Sequence, residues 1–193
     1  MGLFSNLADA YRWRAVKRHA KKVHEQALEV VRAHYNHGEP FALFLRDFDW
    51  DFVRLYSGSD LDARIRSAIE RHMPIIGVCD ARDPLQFWLQ EAKDRIPVLI
   101  LEDETWEESV THLVKNAAVL VVHCLYLSPG VERELEIISK FQRQDSTIIV
   151  LPPPDEDPLA GIPVTQTGPD GTIMSRNFTK ATPGDRRFRQ YAA

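Results

Sequence analysis

The stretch AAVLVVHCLYLSPGVEREL, Ala117 to Leu135, decides the fold. Ala117–Val122 is an unbroken apolar run with the length and β-branched content of a strand buried on both faces. Ser128 follows where a helix N-cap belongs, and Pro129 stands at the first helical position, where a missing N–H costs nothing. Open α/β sheets place their ligand crevice just beyond the carboxyl ends of such strands. The charged group that best fits that crevice is Glu134.

Three glutamates, Glu132, Glu134 and Glu136, share the helix that Pro129 opens. Residues two apart on a helix face different directions, so at most one of them points into a given crevice. Glu134 lies about one and a half turns in, where the positive end of the helix dipole still favours a negative charge.

Outward from this stretch, strands and helices alternate. Phe41–Leu45 reads as a short apolar strand, followed by the polar and aromatic loop Arg46-Asp47-Phe48-Asp49-Trp50. Ser59 or Asp60 caps a helix over Leu61–His72, and Pro74–Val78 is the second strand. Leu85–Lys93 reads as a short helix, Ile96–Leu101 as a third strand, and Thr105–Asn116 as a helix with acidic residues at its start. The helix carrying Glu134 is expected to run to about Gln144, ahead of a last strand at Thr147–Leu151. This alternation predicts an α/β domain: five strands in a mostly parallel sheet with helices on both faces.

Two segments flank that domain. Residues 4–35 form a long helical pattern with an apolar stripe at Val16, Ala20, Val23, Ala27, Val30 and His34, ended by Asn36-His37-Gly38. Its early part is basic, and packing on the domain, self-association, or a weak membrane contact through Leu3, Phe4, Leu7, Tyr11 and Trp13 are its three readings. After Pro154, Ile162–Thr167 and Thr172–Arg176 read as a hairpin, and the remainder is polar and basic. The organisation expected is therefore an amphipathic helix (1–38), an α/β domain (39–154) and a C-terminal hairpin with tail (155–193).

Composition narrows the function classes. Hydrophobic content of 44% and charged content of 27% fit a globular protein, and the net charge of −4 gives no case for nucleic acid binding by the whole chain. Cys79 and Cys124 read as two buried thiols of a reduced compartment. No run is long enough to span a membrane, and no apolar leader opens the chain, so a cytoplasmic location is expected. Met1-Gly2 is similar to the start of a myristoylation signal, but Asn6 stands where Ser or Thr is required.

Several chemistries lack their motifs. Neither GxGxxG nor GxxxxGK[ST] occurs, no GxSxG elbow frames Ser128, and the seven histidines show no HExxH or CxxC partner. No metal ligand set and no resident cofactor are expected.

Ser128-Pro-Gly-Val-Glu-Arg-Glu134-Leu135 resembles the S-x-W-C-x-x-E-L motif of TIR domains, which likewise follows a buried strand; Val131 takes the cysteine place. Phe41-Ala-Leu-Phe-Leu-Arg46-Asp47-Phe48 resembles the family's first box, a strand and loop of the type D-V-F-L-S-F-R. The similarity covers about residues 40 to 152 and is closest to bacterial TIR-like proteins. It implies a flavodoxin-like fold, and either an adhesive signalling module or an enzyme that cleaves NAD at the nicotinamide–ribose bond. It further implies activation by self-association into a homo-oligomer, and a role in bacterial defence or stress.

Carried over residue by residue, the resemblance makes Glu134 the catalytic carboxylate. Breaking a glycosidic bond to a cationic leaving group builds oxocarbenium character, which a carboxylate beside the ribose stabilises. Arg46, Asp47 and Phe48 then line the nicotinamide side, with Trp50 as a stacking surface and Ser128 in the motif's serine place. NAD enters as substrate or ligand rather than cofactor. Two departures stand out: Gly130 replaces the family's Trp, and the strand Ile96–Leu101 sits where TIR domains have a loop. The alternatives are a non-catalytic TIR-like interaction module and a nucleoside deoxyribosyltransferase-like enzyme.

Overall fold

In the computed structural model the described residues are 3–46, 61–80, 96–124, 129–151, 165–167 and 173–175, with side chains described for 17–45, 64–79, 96–102, 104–124 and 130–151. The strands are β1 (Ala42–Arg46), β2 (Ile75–Asp80), β3 (Val98–Leu101), β4 (Val119–His123) and β5 (Thr147–Val150), with a separate pair β6 (Thr165–Thr167) and β7 (Ile173–Ser175). The helices are α1 (Leu3–His37), α2 (Leu61–Ile69), α3 (Asp103–Asn116) and α4 (Pro129–Lys140). Strands one to five form one parallel sheet in the order β3-β2-β1-β4-β5, so the α/β class holds. The chain divides into two compact units, Met1–Phe44 with Ser59–Val119, and Leu45–Gly58 with Leu120–Ala193.

In the first unit the core is built on β1 and β2, whose described side chains are all buried. Phe41, Ala42, Leu43 and Phe44 are sealed from solvent, as are Ile75, Ile76, Val78 and Cys79. Such continuous apolar runs are what a parallel strand covered on both faces requires. Gly77 stands where β2 is most crowded: a Cβ there would lie 3.2 Å from Val98 Cγ1 and 3.5 Å from the Phe44 carbonyl oxygen. Val110, Leu113 and Val114 form the buried stripe of α3, at the spacing of one helix face.

Helix α1 packs against β3 and β2. Val23 and Ala27 are buried and Ala20, Val30 and His34 half-buried, so the stripe read from the sequence is the packed face from Ala20 onward, while the side chain of Val16 lies outside those described. Strand β3 is the outer strand of the sheet, and the Ile100 N–H donates to Nδ1 of His24 at 3.0 Å. The helix thereby satisfies a backbone donor that an edge strand otherwise leaves open. At its end Gly38 adopts φ +70 and donates its N–H to the His34 carbonyl at 2.8 Å, an αL cap, with Pro40 preventing continuation. Tyr35 stacks on His112 of α3 with ring centroids 5.5 Å apart, and His34 meets Phe41 edge-on.

In the second unit Leu120, Val121, Val122, His123 and Cys124 are all buried, and β4 runs in register with β5 from Leu120↔Thr147 to His123↔Val150. Helix α4 buries Val131, Glu134, Leu135, Ile137 and Ile138. It stops at Lys140, earlier than the sequence indicates. Arg143 N–H reaches the Ile138 carbonyl and Gln142 N–H the Ser139 carbonyl, while Gln142 takes φ 52. That pair of bonds is a Schellman motif with glutamine in the left-handed place usually given to glycine. A 3-10 turn at Gln144–Ser146 leads into β5, held by Thr147 Oγ1 and Ser146 Oγ donating to the Arg143 carbonyl. β6 and β7 pair antiparallel, as the hairpin reading of the tail requires.

Other boundaries differ by a few residues. Helix α2 ends at Ile69 rather than His72, where Met73 and Pro74 lead into β2. The helix read over 85–93 lies outside the described residues.

Candidate functional site

Strand β4 and helix α4 set the site. The first turns of α4 carry a stripe Val131, Glu134, Leu135, Ile138, spaced three, one and three residues apart, and all four are buried. Glu134 therefore occupies a core position of an amphipathic helix, with 2% of its surface exposed. Its neighbours in the acidic run behave differently: Glu132 is half-buried, and Glu136 is exposed and paired with Arg133 at 2.6 Å. One carboxylate of the three turns inward, as helix geometry demands.

A second polar side chain is buried nearby in sequence. His123, the last residue of β4, is 5% exposed. Among the described residues, His123 and Glu134 are the two buried polar or charged side chains, and they flank the β4–α4 connection. Both Nε2 of His123 and Oε2 of Glu134 are shut off from solvent. Sequence reading passed over His123. Its signal was present, because a histidine that ends an apolar strand sits at the carboxyl end, where ligands bind in open sheets.

The remaining candidates are placed as follows. Arg46 is the last residue of β1, described in its backbone only. Asp47, Phe48, Trp50 and Ser128 lie outside the described residues.

Chemically, a carboxylate within the first two turns of a helix and shielded from water has a strong electrostatic effect on whatever approaches it, because little solvent screens it. It can stabilise a developing cation, accept a proton or attack an electrophilic carbon. Among the described residues no group of three or more His, Cys, Asp and Glu side chains is arranged to hold a metal ion. Cys79 and Cys124 are both buried and form no disulfide. Among the described residues no helix is long and apolar enough to cross a membrane.

No protein-family model matches the chain, and no curated protein matches it.

Proposed function

We propose that the protein is a TIR-like NAD glycohydrolase in which Glu134 is the catalytic carboxylate. The observation that carries this reading is the burial of Glu134 at a core position of α4, the helix that follows β4. Burying an ionisable group without function is costly, and such positions are otherwise filled by apolar side chains. In the reaction, Glu134 stabilises positive charge on the ribose as the bond to nicotinamide breaks, and water completes hydrolysis. Arg46, Asp47, Phe48 and Trp50 are the proposed binding residues, and self-association the proposed trigger. His123, buried at the end of β4, is a proposed positioning residue.

Strand order fits this reading with one addition. Flavodoxin-like sheets run 2-1-3-4-5. With β3 set aside as an added edge strand, β2-β1-β4-β5 follows the first four strands of that winding. A flavodoxin-like sheet with helices on both faces is the arrangement we propose.

The test is nicotinamide release from NAD by concentrated protein, compared with Glu134→Gln. Release by the wild type and its loss in the variant supports the enzyme; equal release by both removes Glu134 from the mechanism. A second reading, a non-catalytic interaction module, draws on Ile148, which is 52% exposed on β5. A large apolar side chain on an outer strand is a natural contact for a partner. Absence of release from an assembled wild type favours that module.

A further inference from the structure

Helix α1 is a single helix of 35 residues, about 52 Å long at 1.5 Å per residue, and Val23 and Ala27 are buried in its second half. Its packed face runs through positions 20, 23, 27, 30 and 34. At about 100° per residue, positions 13 and 16 continue that face. The opposite face runs through 18, 21, 22, 25 and 29, and Arg18, Lys21, Lys22, Glu25 and Glu29 are all exposed. Extended toward the N-terminus, this second face passes through positions 11, 7, 4 and 3, which are Tyr11, Leu7, Phe4 and Leu3. The apolar stripe of the helix thus changes sides part-way. It lies on the packed face where the helix covers β3, and on the opposite face at the tip.

Charge follows the same division. Between Asp9 and Glu25 no acidic residue occurs, while Arg12, Arg14, Lys17, Arg18, Lys21 and Lys22 lie in that interval. The whole chain is nevertheless net acidic at −4. A cationic collar behind an apolar tip, on an otherwise acidic protein, matches an anionic lipid surface, which takes the apolar residues into its interface and holds the cations at its headgroups. A coiled-coil seam with a second copy needs apolar positions sustained over at least three heptads, and the stripe at the tip spans little more than two turns. We propose that the N-terminal part of α1, residues 3–22, is a docking arm for anionic membranes, with Leu3, Phe4, Leu7 and Tyr11 as its tip and Arg18, Lys21 and Lys22 as its collar.

The test uses the full chain in sedimentation with phosphatidylcholine vesicles, with and without about one-third phosphatidylserine. The expected result is binding to the anionic vesicles alone, abolished in about 1 M salt, where the screening length falls to about 3 Å. Replacing Arg18, Lys21 and Lys22 with glutamine should weaken binding about a hundredfold, at about fivefold per charge. These side chains are exposed, so circular dichroism should be unchanged. Leu7→Asp should also release the protein. No binding to either vesicle, or equal binding to both, overturns the proposal. So does a dimer in sedimentation velocity that these substitutions dissociate while vesicles bind nothing.

Discussion

Ile100 donates its backbone N–H to Nδ1 of His24, a contact that spans 76 positions of sequence and closes the outer strand of the sheet. The bond requires an imidazole with its Nδ1 lone pair available and its proton on Nε2. Long-range nitrogen–proton NMR of the ring should therefore find the Nε2–H tautomer. His24→Ala removes the acceptor and leaves a part-buried donor, at a cost of about 1 kcal/mol in urea unfolding. A loss below the error of the measurement would mean that water replaces the imidazole.

Two helix ends offer a matched pair of changes. Gly38 has φ +70, and nothing lies within 4 Å of the place a Cβ would take, so Gly38→Ala meets backbone strain alone. The expected loss is about 1 kcal/mol. Gln142 adopts the same left-handed region at the end of α4, and Gln142→Gly should gain about 0.5 kcal/mol, the relief of strain less the added freedom of the unfolded chain. Chemical denaturation of both variants checks the opposite signs.

Gly77 tests space rather than conformation. Alanine there places a methyl 3.2 Å from Val98 Cγ1, so the valine must shift by a few tenths of an ångström. Overpacking of this kind costs about 1 kcal/mol for alanine and up to about 3 kcal/mol for larger side chains. The double variant Gly77→Ala, Val98→Ala should lose less than the sum of the single losses, because the clash is then removed. Strict additivity would show that the crowding is relieved elsewhere.

These positions also explain what the sequence made legible. The strands were readable because β1, β2 and β4 are rich in buried apolar residues, which leaves uninterrupted apolar runs in the chain. Gly38 announced the end of α1 because glycine is the usual left-handed cap. The end of α4 was hidden because Gln142 fills that role, and nothing in a glutamine marks it. Strand order was not readable, since β3 pairs with β2 at the sheet's outer side through contacts that no local pattern encodes. At the site, the spacing of Glu132, Glu134 and Glu136 allowed only one of them to turn inward, and the apolar stripe Val131, Leu135, Ile138 shows which one. His123 was overlooked because it terminates an apolar run that was read for its strand content alone.

Substitution of Glu134 tells the proposed activity apart from a purely structural role. Val131, Leu135 and Ile138 flank its place in the stripe, so Glu134→Leu completes an apolar face and exchanges a buried carboxylate for a packed side chain. Replacing buried ionic groups in this way is often neutral or stabilising. The expected outcome is an unfolding free energy within about 1 kcal/mol of the wild type, or above it, together with complete loss of nicotinamide release. Glu134→Gln keeps the shape and removes the charge, and should match the leucine variant in lost activity. If instead both variants unfold several kcal/mol more easily, as when a buried polar network is broken, Glu134 holds the β4–α4 connection together and the carboxylate is structural. Function would then have to be sought in the exposed side of β5.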